Sequence, residues 1–187
     1  FELGGRRMIA SCSSAHGFGV DADDGTLLWT VPLKNQFGVN TATPVYGSGA
    51  IFYVTPYAEE GRLYRLRVAG QKIIPEQIWQ SSLDTVTGSG VLVDGTLFAA
   101  GYRKNKWWMA LDWRTGDVKS QLEELTTGAA IYADGRLYCL DEKGMVGLVV
   151  PEANGLRLAG KFQLVPDRVS DAWAHPVLLA GRLYLRY

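Results

Sequence analysis

The chain has 187 residues, with 19 Lys and Arg against 19 Asp and Glu, 22 glycines and 11% aromatic residues. Zero formal charge offers neither the basic surface that nucleic acid requires nor an acidic tail for a basic partner. No apolar run approaches the roughly 18 residues of a membrane helix, whereas the length allows a substantial core and the Gly, Val, Leu and Tyr content suits a turn-rich all-β protein.

The opening Phe1-Glu2-Leu3 carries neither an initiator Met nor a signal peptide. It reads as a fragment or a processed chain, any targeting signal lying outside it. From Gly5 a first repeat runs through a strand at Met8–Cys12, a third strand at Gly17-Phe18-Gly19-Val20 and a fourth near Trp29. The second repeat turns at Ser48-Gly49, enters Ala50-Ile51-Phe52, takes a third strand from Gly61 to Arg67, lengthens its next turn over Ala69 to Pro75 and ends near Trp79. The third has Val91-Leu92-Val93, the hairpin signal Asp94-Gly95 and Thr96-Leu97-Phe98. It continues with a third strand from Trp107 to Trp113 and a fourth near Ser120. The fourth repeats Ile131-Tyr132-Ala133, Asp134-Gly135 and a third strand from Gly147 to Val150, and ends near Phe162. A last hairpin, His175 to Arg186, turns at Gly181.

The marker glycines Gly5, Gly49, Gly95, Gly135 and Gly181 are spaced by 44, 46, 40 and 46 residues. A strand-bearing period of roughly 40–45 residues marks propeller blades. The expected fold is therefore all-β: a β-propeller of four-stranded antiparallel blades. About four and a half blades are expected, as part of a seven- or eight-bladed ring, with repeats over 1–42, 43–88, 89–128, 129–174 and the start of a fifth over 175–187. Trp107, Met109, Leu111 and Trp113 alternate onto one face and Trp108 and Ala110 onto the other. Two apolar faces are what a sheet held between neighbours needs. A partial ring would leave apolar faces and strand edges open, so the chain is expected either to close into a strained small ring or to associate with a second copy.

The connection between third and fourth strands reads Val20-Asp21-Ala22-Asp23-Asp24-Gly25-Thr26-Leu27-Leu28-Trp29 in the first repeat. In the third it reads Leu111-Asp112-Trp113-Arg114-Thr115-Gly116-Asp117. Asp21 and Asp112 are suited to accept backbone N–H groups in the turn, Gly25 and Gly116 to take its left-handed position, and Trp29 to cover the adjacent blade. The pattern resembles the Ala-x-Asp-x-x-Thr-Gly-x-x-x-Trp docking motif of the quinoprotein-like (pyrroloquinoline quinone repeat) bacterial β-propellers. In that pattern Asp21, Gly25, Trp29, Asp112, Thr115 and Gly116 are blade-docking residues. Repeat two keeps Trp79, Ser120 replaces the Trp in repeat three, and in repeat four Pro151-Glu152-Ala153-Asn154-Gly155 replaces the turn. The resemblance implies an exported, periplasmic location. It also implies one of two functions: a non-catalytic scaffold that presents loops or a sheet edge to a protein partner, as the family's outer-membrane assembly scaffold does, or part of a quinone-dependent alcohol dehydrogenase.

No residue set for catalysis, cofactor or metal emerges. The dehydrogenases hold pyrroloquinoline quinone with a vicinal Cys pair and a Ca²⁺ ligated by Glu and Asn. Here Cys12 and Cys139 are far apart, and they read as two buried free thiols. Quinone and calcium therefore belong to the alternative reading alone. Asp21-Ala22-Asp23-Asp24-Gly25 lacks the Gly and Glu spacing of an EF-hand. His16 and His175, the only histidines, read as structural or exposed. Glu59-Glu60 and Glu123-Glu124 read as solvated loop carboxylates. Trp107-Trp108 would suit a carbohydrate-binding propeller if exposed, although their alternation argues for core.

Overall fold

A computed structural model describes residues 1–58, 60–103, 105–153, 155–167 and 170–186. Blade one contains β1 (Glu2–Leu3), β2 (Arg6–Cys12), β3 (His16–Asp21) and β4 (Leu27–Pro32). Blade two contains β5 (Val45–Gly47), β6 (Ala50–Thr55), β7 (Glu60–Ala69) and β8 (Lys72–Ser81). Blade three contains β9 (Val91–Val93), β10 (Thr96–Ala100), β11 (Trp108–Asp112) and β12 (Val118–Leu122). Blade four contains β13 (Gly128–Ala133), β14 (Arg136–Asp141), β15 (Met145–Glu152) and β16 (Gly155–Gln163), and a two-stranded hairpin follows as β17 (Val177–Leu179) and β18 (Arg182–Tyr184). Each four-stranded sheet is an antiparallel meander in chain order. The described residues contain no helix, and so none long and apolar enough to cross a membrane.

The turns after the first strands explain the marker glycines. At Ser48-Gly49, Asp94-Gly95, Asp134-Gly135 and Ala180-Gly181 both central residues have positive φ, near 46–50° and 71–73°. These values are those of type I′ hairpins, whose twist matches that of the strands. Ser48 holds a left-handed conformation that Asn adopts at less cost. Ser48→Asn is therefore expected to raise stability by about 0.5 kcal/mol, read as a higher denaturant midpoint with an unchanged slope.

The blades stack face to face, and each seam has its own core. Trp29, Val31 and Leu33 of blade one meet Ile51, Tyr53, Tyr64 and Leu66 of blade two. Phe52, Leu63 and Trp79 of blade two meet Leu97, Met109, Leu111 and Trp113 of blade three. Phe98, Trp108 and Ala110 of blade three meet Leu137, Cys139 and Val149 of blade four. Residues 107–113 thus divide between two seams as their alternation predicts. At the ends of the stack Ile9 and Leu27 remain 55% and 59% exposed, and Val177 and Leu179 of the hairpin 51% and 64%.

Three expectations are corrected. Residues 69–75 are not a lengthened turn: β7 and β8 extend to pair Ala69 with Lys72, and Pro75 lies in the ladder opposite Leu66. Blade four does the same, with Glu152 paired to Gly155; Asn154 lies outside the described residues. Glu60 is not a solvated loop carboxylate. It opens β7, is partly buried, and pairs with Arg62 while accepting from Gln80 Nε2; Glu59 lies outside the described residues.

Candidate functional site

Hairpin connectivity sends the turns between second and third strands, and the crossings between blades, to one rim of the stack. The other two sets of turns reach the opposite rim. The residues read as docking groups lie at this second rim. Asp21 Oδ1 accepts the Asp23 N–H at 2.9 Å, its carbonyl accepts the Gly25 N–H at 3.0 Å, and Oδ2 stands 3.1 Å from Arg6 Nε. Gly25 has φ 76°. In blade three Asp112 Oδ1 accepts the Arg114 and Thr115 N–H groups at 2.9 and 3.0 Å, and its carbonyl accepts the Gly116 N–H at 2.8 Å. Thr115 Oγ1 donates to Asp117 Oδ2 at 2.7 Å. Lys119, bonded to Asp112 at 3.1 Å, holds that carboxyl below the usual carboxylate range, assisted by the two turn N–H groups. Both aspartates are thus occupied by their own turns.

The indoles close the seams. Trp29, 4% exposed, donates Nε1–H to Tyr53 Oη at 3.2 Å, and Tyr53 donates onward to the Phe18 carbonyl at 3.1 Å. Trp79 donates to the Trp113 carbonyl at 2.9 Å, and Trp113 donates to the Gly47 carbonyl of the preceding blade at 3.3 Å. Between blades three and four, where Ser120 rather than Trp stands in the fourth strand, there is a cavity of about 460 Å³ lined by residues that include Phe98, Ala110, Tyr132, Pro151 and Gly155.

The first rim carries a cluster that sequence reasoning missed. Phe37, in the crossing from blade one to two, is 57% exposed and meets the Tyr57 ring edge-on at 4.7 Å. Tyr57 meets Tyr102 at 5.5 Å and 85°, and the Arg103 guanidinium lies 5.0 Å from the Tyr57 centroid. Three successive blades contribute. The loops are pinned: Asn35 Oδ1 accepts from Phe37 and Val39, and fully buried Asp84 accepts the Tyr102 and Arg103 N–H groups at 2.8 and 3.0 Å. Tyr57 has φ 66°, an uncommon conformation for a bulky residue and one often found at functional sites. A pinned aromatic row, exposed at Phe37 and half-buried at Tyr57 and Tyr102, with a cation stacked on it is suited to contact another macromolecule. Tyr57 and Tyr102 stand one repeat apart at equivalent turns, the sequence signal that could have found them.

Other candidates are dispersed. His16 and His175 are exposed, as are Glu123 and Glu124. Trp107 is half-buried and Trp108 buried, so the pair offers no exposed platform for a sugar. Cys12 and Cys139 are free thiols in β2 and β14 of different blades; Cys139 is buried, but Cys12 only partly. Burial pushes the Cys12 thiol from 9.0 up to about 11 and the Cys139 thiol up as well. A rise of that size leaves Cys12 with about a hundredfold less thiolate at neutral pH. Any stability linked to the protonated thiol holds below 9.0 and is lost as pH rises through about 11. Alkylation by iodoacetamide at pH 8 should therefore be slow at both thiols in the native state and fast in urea. Prompt native modification of Cys139 would contradict this environment.

No family model matches the chain, and no curated protein does. Solved structures do. BamB from Moraxella catarrhalis is similar with a TM-score of 0.69 at 11% identity, over 100% of this chain and 54% of that one. A quinohemoprotein alcohol dehydrogenase from Pseudomonas putida HK5 gives 0.66 at 13% identity, over 96% and 37%. The computationally designed Ika8 protein gives 0.66 at 9%, over 98% and 52%. The likeness is one of fold, a β-propeller. The chain spans about half the length of two of these structures and little more than a third of the dehydrogenase.

Proposed function

We propose that this chain is a non-catalytic, exported propeller module that binds a protein partner through its first rim. The observation that carries this reading is the Phe37–Tyr57–Tyr102 row with Arg103 on it, contributed by three blades and pinned by Asn35 and Asp84. Aromatic side chains and Arg are the groups enriched where proteins meet. The exported location rests on the resemblance in the docking turns. The open end faces, with Ile9, Leu27, Val177 and Leu179, favour association of the chain with itself when it is alone.

Pyrroloquinoline quinone with calcium belongs to the rival reading, and the described residues do not fit that pair. Cys12 and Cys139 occupy different blades, and no cluster of three His, Cys, Asp or Glu side chains occurs among the described residues. The deciding experiment uses the full-length protein. A partner cross-linked in envelope extract of the source cells should be identified with the wild type and lost with Phe37→Ala/Tyr102→Ala at unchanged melting temperature. Dye-linked alcohol oxidation on addition of quinone and calcium, or a partner retained by the double variant, would overturn the proposal.

A further inference from the structure

The β-bulge fixes an equivalent position in the fourth strand of every blade. Trp29, Trp79, Ser120 and Gly160 face Gly19, Leu63, Ala110 and Leu148, each immediately before the bulge. At the second seam this position holds an indole with a defined setting. The Trp79 ring lies 5.5 Å from that of Phe52, and a Cβ on Gly116 would stand 2.7 Å from the indole. Its N–H reaches the Trp113 carbonyl.

The same setting surrounds Ser120, without the indole. Phe98 pairs with Ala110 as Phe52 pairs with Leu63, which places a phenyl ring in the equivalent row. Gly155 takes the place of Gly116, since a Cβ there would meet Ser120 Cβ at 2.7 Å. Pro151, three residues past the bulge, stands where Trp113 does. Phe98, Ala110, Pro151 and Gly155 all line the cavity of about 460 Å³, a volume within the range of ligand sites. Ser120 Oγ is buried without a hydrogen-bond partner.

We propose that this cavity is a receiving slot for a tryptophan side chain presented by a partner polypeptide. The inference rests on the protein-binding reading above and names a second contact for that partner, at the opposite rim. The chain itself shows the occupant, because the neighbouring seams are filled by Trp29 and Trp79 from equivalent positions. Among the large apolar side chains the indole also brings an N–H donor, as Trp79 brings one to the Trp113 carbonyl at the second seam.

The probe is acetyl-Gly-(5-fluorotryptophan)-Gly-amide, followed by ¹⁹F NMR against the full-length protein. Saturable binding with a roughly millimolar dissociation constant is expected, as befits one small side chain. The unlabelled Trp peptide should displace it and the Leu peptide should not. Ser120→Trp, which supplies the indole from within, should weaken binding at least tenfold without lowering the melting temperature; Ser120→Leu is the second variant should the first fail to fold. No saturable binding, binding unchanged in both variants, or binding of free 5-fluoroindole but not the peptide would overturn the proposal. Partner capture that survives Ser120→Trp overturns the slot's role and leaves the rim reading standing. Capture lost in Phe37→Ala/Tyr102→Ala while peptide binding persists supports two separate contacts.

Discussion

Trp29→Ala is expected to lower the unfolding free energy by about 3–5 kcal/mol, the range for deleting a large buried aromatic. The indole lies flat over β3: a Cβ on Gly19 would fall 1.9 Å from the ring. Its removal empties the space between blades one and two rather than a surface groove. It also takes away a donor to the Tyr53 hydroxyl, a phenol that burial keeps protonated and whose own proton is committed to the Phe18 carbonyl. Among the described residues blade one touches a single neighbour, and in a stack of repeats stability is a sum of blade and seam terms. The loss should therefore fall first on blade one, with amide exchange rising in β2 and β3 before β10 and β14. A denaturation midpoint that Trp29→Ala does not move would refute the assignment of the indole to this seam.

The repeat was legible because its signals are local. Each type I′ turn needs a Gly within two residues of a strand, and the alternation of Trp107 to Trp113 reports two buried faces directly. The docking turns were legible for the same reason, since Asp112 bonds N–H groups only two and three residues ahead. The longer hairpins of blades two and four were not, because Pro75 and Pro151 suggest breaks where the ladder continues. The rim cluster joins side chains from three blades, and the slot at Ser120 depends on Gly155 of the next blade. Neither exists until the blades are set side by side, so no window of sequence contains them.

The third seam gives the second large effect. Gly128→Ala is expected to cost about 3 kcal/mol, the upper end for overpacking. A Cβ on Gly128 would stand 2.2 Å from the Leu140 carbonyl oxygen and 2.6 Å from Asp141 Cα, backbone atoms of the paired strand that cannot rotate away. Retreat in the other direction is closed too. Gly88, in the crossing that enters blade three, lies so near that its own added Cβ would be 2.2 Å from the Gly128 carbonyl oxygen. Gly49 is the control: it has φ 73° with nothing within 4 Å of an added Cβ. Gly49→Ala meets only the left-handed backbone cost, about 1–2 kcal/mol. Because Gly88 and Gly128 share one contact, Gly88→Ala and Gly128→Ala should couple rather than add when measured in a double-mutant cycle. An effect of Gly128→Ala no larger than that of Gly49→Ala, or strict additivity with Gly88→Ala, would show that the two backbones do not meet at this seam.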